Sequence, residues 1–145
     1  MKVIFLDVDG VLNSETFMID NPNAMFKNIL SESAIDLLRR IVDETGAKIV
    51  LSSSWRRIKM NMIHLTKQLF AHGISIHSST PYSIELRNRG DEIGAWLREH
   101  PEVTNYVILD DDDDMGEHMS HLVQTTWKHG LEEKHVEEAV RLLSK

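Results

Sequence analysis

Asp7 and Asp9 stand two residues apart, directly after the apolar run Val3-Ile4-Phe5-Leu6. Two carboxylates that close, with no basic neighbour, repel each other. A cation is their natural partner, and hard oxygen donors suit Mg2+. Gly10 follows, a residue that lets the backbone turn sharply. Far along the chain, Asp110 and Asp111 open an acidic run that ends at Asp114, directly after Tyr106-Val107-Ile108-Leu109. Between the two acidic groups, Ser52, Ser53, Ser54 and Arg56 follow Ile49-Val50-Leu51, and Arg87 and Arg89 precede an amphipathic stretch. Hydroxyls that open a loop can donate hydrogen bonds to phosphate oxygens, and Arg adds a fixed charge with fork geometry. A plainer reading accompanies each feature. Asp-x-Asp-Gly also occurs in calcium loops, a serine run can cap a helix, an Arg beside a helix start can be solvated, and a run of acids is usually a surface patch.

The elements around these residues weigh against the plain readings. Short apolar runs without a period indicate strands buried on both faces, predicted at 3–6, 49–51 and 106–109, with weaker ones at 74–76 and 122–126. Ligands of open parallel sheets bind at the carboxyl ends of the strands, where the acids and serines lie. Ser31-Glu32-Ser33 supplies a helix cap, followed by Ala34, Ile35, Leu37, Leu38, Ile41 and Val42 at helical spacing and by Gly46 as a stop. Residues 57–72 fit an amphipathic helix whose broad apolar face holds Ile58, Met60, Met62, Ile63, Leu65, Leu69 and Phe70. Ile93, Trp96 and Leu97 predict a helix from near Asp91, and Val136, Ala139, Val140, Leu142 and Leu143 a final one. A cation at Arg89 opposes the dipole of the helix it precedes, so it asks for another reason to be there. Trp55 reads as a packing ring, with a stacking platform for a nucleobase as the alternative. His118 and His121 read as a surface loop or helical turn rather than a zinc pair.

Strands and helices alternate along the whole chain. The expected architecture is therefore α/β, a parallel sheet between helical layers joined by right-handed connections. The 145 residues suit one domain, 1–145. Residues 14–30 lack a clean period and read as a short flap, too short to build a cap domain. No apolar run approaches a membrane span, and no signal peptide is visible. With no cysteine there is no disulfide framework and no thiolate metal site, so a cytoplasmic location is the default expectation. The net charge of −7 disfavours non-specific nucleic-acid binding.

Four segments in this order resemble the motifs of the haloacid dehalogenase-like (HAD) phosphohydrolases. They are Asp-Val-Asp-Gly at the end of the first strand, the serines ending the second, Arg89 at a helix start, and Asp110-Asp111 ending the fourth strand. The resemblance implies a Rossmann-like three-layer α/β/α sandwich with a five-stranded parallel sheet of order 5-4-1-2-3 and no large cap. It casts Asp7 as nucleophile and Asp9 as general acid/base. Mg2+ would be held by the Asp7 carboxylate, the Asp9 carbonyl and Asp111, with Asp110 close behind and Asp114 holding a bound water or a supporting contact. A count of seven from Gly46 puts Ser53 first as the phosphate-binding hydroxyl, ahead of Ser52 and then Ser54. Arg89 is the matching cation, with Arg87 in reserve, and Gly10, Arg56 and backbone N–H groups complete the phosphate grip. Beyond the general family, Asp-Val-Asp-Gly-Val-Leu-Asn, Val-Leu-Ser-Ser-Ser-Trp-Arg and Arg-Gly-Asp-Glu-Ile resemble the branch found in Swiss Army Knife RNA-repair proteins. The implied activity is Mg2+-dependent phosphomonoester hydrolysis through an aspartyl-phosphate, on polynucleotide ends. Alternatives are a phosphatase of small esters such as nucleotides and sugar phosphates, and a non-catalytic binding module, against which the intact Asp7/Asp9 pair argues.

Overall fold

The computed structural model describes residues 1–145. Five strands, β1 (Lys2–Leu6), β2 (Lys48–Leu51), β3 (Ile76–Ser79), β4 (Asn105–Asp110) and β5 (Leu122–Gln124), form one all-parallel sheet of order β3-β2-β1-β4-β5. This is the expected order, written from the other edge. β1 lies at the centre, and Val3, Ile4, Phe5 and Leu6 are all fully buried. A strand without alternating polarity requires cover on both faces.

The helices supply that cover unequally. α3 (Glu32–Thr45), α4 (Lys59–Ala71) and α6 (Glu133–Leu143) pack on the face that receives Ile4 and Leu6. α5 (Arg89–Arg98) and the 3₁₀ turn Gly116–His121 cover the other, where Val3, Phe5, Val50 and Ile108 meet Ile93, Trp96 and Met115. Phe5 packs edge-on against both Trp96 and Tyr106, with ring centres 5.4 and 5.6 Å away. Burying each such side chain contributes roughly 1.5–3 kcal/mol.

Helix boundaries follow their caps. The Ser31 hydroxyl accepts the Ala34 N–H, and Gly46 ends α3 at φ 71°. α5 starts at Arg89, two residues before the expected Asp91, because the Asn88 side chain caps it by accepting the Asp91 N–H. Residues 57–72 are not one helix. A 3₁₀ turn, Ser54–Arg57, is separated from α4 by extended Ile58. Only Leu65 and Leu69 of α4 are buried, whereas Ile58, Met60, Ile63 and Phe70 are exposed, so the broad apolar face shrinks to Leu65 and Leu69 with half-buried Met62 packed against the same core. β3 begins two residues later than predicted. β5 stops at Gln124, two residues short of the expected end, and the next residue, Thr125, turns its hydroxyl to the Gly10 carbonyl at 2.6 Å. Residues 14–30 form two short helices, α1 (Glu15–Asp20) and α2 (Ala24–Lys27). The backbone N–H groups of Glu15 and Thr16 donate to the carbonyls of Trp127 and Lys128, which fastens α1 to the loop after β5. No helix is long and apolar enough to cross a membrane.

Candidate active site

The parallel register builds the site. Phe5 pairs with Val50 on one side of β1 and with Ile108 on the other, and all three point toward α5. Two residues further along, where strand side chains return to the same face, stand Asp7, Ser52 and Asp110. The ladder continues to that row: the Asp7 N–H donates to the Leu109 carbonyl at 3.0 Å, and the Ser52 N–H to the Leu6 carbonyl at 2.8 Å. Carboxylate oxygens of Asp7, Asp110 and Asp111 all lie within 4.8 Å of one another.

The same register separates the serines. Ser53, first by count from Gly46, lies on the opposite face with Leu6 and Leu51, and its hydroxyl accepts the Trp55 N–H at 3.2 Å as the cap of the 3₁₀ turn. Ser52, ranked second, shares the row of Asp7, and its buried hydroxyl has no hydrogen-bond partner in the protein. An orphaned hydroxyl in a buried row of acids is costly unless something else binds there.

The electrostatics of the row point to a cation. Asp7 is 8% exposed, and burial first of all pushes its carboxyl up from 3.8 to about 6, against the pull of Arg89. Asp110 is 2% exposed, and burial followed by the nearby Asp7 pushes it to about 9. Asp111 is also raised, chiefly by burial. Three acids that resist ionisation on their own form an oxygen-only set, and a hard divalent ion would relieve them. The donor set therefore fits Mg2+.

The Arg89 guanidinium reaches Asp110 at 3.6 Å and Glu92 at 3.2 Å, and it acts on Asp7 electrostatically. Arg87, the reserve, is 85% exposed and pairs only with Asp91. Asp114 accepts the Arg89 backbone N–H at 3.2 Å at the start of α5, and Asp7, Asp110 and Asp111 converge without it.

Two expected phosphate contacts have other partners. The Arg56 side chain is 3% exposed and is committed to Glu92 at 2.7 Å, to the Ser53 carbonyl at 2.6 Å and to the Thr80 carbonyl at 3.1 Å. It braces the serine loop against α5 and has little left to offer an anion. The Gly10 N–H is held by the Asn13 side-chain oxygen at 2.9 Å. What requires glycine is space: φ is 81°, and a Cβ there would overlap the Asp111 carboxylate.

Asp9 leaves the acid row. Asn13 donates to its carboxylate at 2.8 Å, and the Trp55 indole N–H reaches both oxygens at 3.2 and 3.3 Å. Trp55 packs in the core as expected, and its indole N–H also holds the Asp9 carboxylate in place. Asn13 and Glu92 lie in segments that carry the family resemblance, but sequence reasoning assigned neither a role at the site. Asn13 carried a local signal, three residues after Gly10, whereas the partner of Glu92, Arg56, is 36 residues away and has no local signal. His118 and His121 lie on the 3₁₀ turn Gly116–His121, where His118 is buried rather than at the surface. Each binds Tyr106, at its hydroxyl (2.7 Å) and its carbonyl (2.8 Å), on the α5 side.

The arrangement can place one carboxylate against an anion that a cation, an arginine and a hydroxyl hold, with a second carboxylate outside the row to move a proton. No curated protein matches the chain, and no solved structure does. One family model matches residues 3–136, described as the HAD domain in Swiss Army Knife RNA repair proteins. Its span runs from β1 into α6 and takes in every residue of the acid row, and the chain belongs to that family.

Proposed function

We propose that the protein is a Mg2+-dependent phosphomonoesterase that works through an aspartyl-phosphate and acts on the phosphorylated end of a polynucleotide. The observation that carries the chemistry is the convergence of Asp7, Asp110 and Asp111, with carboxylate oxygens within 4.8 Å of one another, at the carboxyl ends of β1 and β4. Family membership supports both the reaction class and the nucleic-acid substrate. Mg2+ bound by the three carboxylates and the Asp9 carbonyl would neutralise charge between the nucleophile and the phosphoryl group.

The protein's own groups perform the steps. Arg89 and the Ser52 hydroxyl hold the phosphoryl oxygens. An Asp7 oxygen attacks phosphorus in line, the bond to the leaving oxygen breaks, and Asp9 gives that oxygen its proton. Asp9 then takes a proton from water. The water oxygen attacks phosphorus, and the bond to Asp7 breaks, releasing phosphate and restoring both carboxyls. Trp55 and Asn13 keep Asp9 aimed through both halves.

A second reading, hydrolysis of small phosphomonoesters, is favoured by the net charge of −7, which opposes a polyanion at long range. Phosphate release from 3′- and 5′-phosphorylated oligonucleotides, nucleotides and sugar phosphates, with Mg2+ and with EDTA, separates the two. Fast metal-dependent release from one oligonucleotide end supports the polynucleotide reading, and release from small esters alone supports the second. Asp7→Asn is expected to abolish turnover while the protein stays folded. Full activity in that variant overturns the nucleophile assignment.

A further inference from the structure

A cavity of about 420 Å³ opens beside Asp9, between the flap and the loop after β5. Its walls are mostly apolar. Trp55 and Trp127 supply two indoles, and Met18 and Met25 of the flap helices face the same space. The acid row contributes nothing to its lining; the one titratable group there is Asp9.

Its position matters more than its size. In the reaction proposed above, on which this inference rests, the leaving oxygen departs on the side of Asp9. Whatever that oxygen is attached to must therefore enter this cavity. The volume lies within the range of small-molecule sites. A polyhydroxylated leaving group would find few partners, because Asn13 is spent on Asp9 and Gly10, and only the Asn28 and Asn61 amides remain. A flat aromatic group would find two indoles and two thioethers, with the amides at hand for polar edges.

The walls are held before any ligand arrives. Trp55 is tied to Asp9 through its indole N–H. Gln68 of α4 donates to the Asn28 carbonyl at 2.8 Å and accepts the Leu30 N–H at 2.8 Å, which fixes the end of the flap. The Thr16 hydroxyl and N–H both reach the Lys128 carbonyl, which fixes the loop carrying Trp127. Yet Trp127 itself remains 43% exposed. An indole on a braced loop that the core does not need is placed for stacking.

We propose that this cavity is the leaving-group subsite, and that it takes the nucleobase of a nucleoside carrying the scissile phosphomonoester. The base stacks on Trp127, with Met18 and Met25 closing from the flap side. Trp127 is thereby a specificity-determining residue that nothing in the motif pattern marks.

The test compares wild-type protein with Trp127→Ala and Trp127→Phe, in Mg2+, on 3′-AMP, 5′-AMP and ribose 5-phosphate. At least one nucleotide should exceed ribose 5-phosphate in kcat/KM by about tenfold to a hundredfold in the wild type. Trp127→Ala should bring that ratio toward one by raising KM for the nucleotide, and Trp127→Phe should restore most of it. A wild-type ratio near one, or a ratio that Trp127→Ala leaves untouched, overturns the proposal. An oligonucleotide ending in the same phosphorylated nucleoside tells the source. A further gain assigns the base to a strand end and equality to a free nucleotide, and both outcomes support the subsite. If no ester is hydrolysed, the phosphatase reading fails, and the subsite is judged separately by adenosine binding. Saturable quenching of tryptophan fluorescence by adenosine but not ribose, weakened by Trp127→Ala, supports it, and no quenching overturns it.

Discussion

Asp110→Asn should make the metal-free protein more stable at neutral pH, although it removes a buried acid from the site. In the folded chain Asp110 holds its proton up to about 9, because burial and the neighbouring Asp7 oppose its charge, while in the unfolded chain it ionises near 3.8. Between those limits the folded state binds one more proton than the unfolded state. Its stability must then fall as pH rises, by about 1.4 kcal/mol per pH unit. From pH 5 to pH 7 the wild type should lose about 3 kcal/mol that the Asn variant retains. Buried His118 and His135 are pushed down by their surroundings and titrate with the opposite sign, so they favour folding as pH rises. Comparing the two proteins cancels them. The Asn side-chain oxygen can still accept the Asp112 N–H that Asp110 accepts at 2.9 Å, and loss of the Arg89 contact is a constant offset. The assay is urea unfolding in EDTA at pH 5, 6 and 7, with the free-energy difference between the proteins read at each pH. Parallel pH dependence in the two proteins would refute the retained proton. It would also remove the electrostatic case for a cation in the acid row. With Mg2+ the wild type should recover its stability at pH 7, and the variant should recover less.

Three further outcomes follow from named contacts. Glu92→Ala strands the Arg56 guanidinium, 3% exposed, without its carboxylate, and should cost about 3–5 kcal/mol in urea unfolding; adding Arg56→Met should recover part of the loss. Trp55→Phe removes the N–H that holds Asp9 and should lower kcat by about 10- to 100-fold with Mg2+ affinity retained, while an unchanged kcat would show that Asn13 alone suffices. Gly10→Ala puts a Cβ into the Asp111 carboxylate at a backbone angle that L residues avoid. Isothermal titration should find Mg2+ affinity reduced at least tenfold, and wild-type affinity would mean that Asp111 can move aside without loss.

The elements and the chemical parts were legible in the chain because their signals are local. Four apolar residues with no period require a strand covered on both faces, and acids directly after two such strands must lie at the carboxyl edge of the sheet. Caps at Ser31 and Gly46 delimit α3 for the same reason. What tertiary structure alone decided depends on register and on partners distant in sequence. Ser52 stands beside Asp7 because Leu6 pairs with Leu51, a fact of strand alignment that a count from Gly46 cannot supply. Arg56 is withdrawn from phosphate by Glu92, 36 residues away, and Trp55 is drawn to Asp9 across 46. The turn at Gly10 is local, but the second reason for glycine there, the close approach of Asp111, exists only because the end of β4 brings that carboxylate against it. Spacing along the chain reports which side chains share a strand or a helix face. Which of them meet across the sheet is set by pairing between strands, and the chemistry of this site is assembled across the sheet.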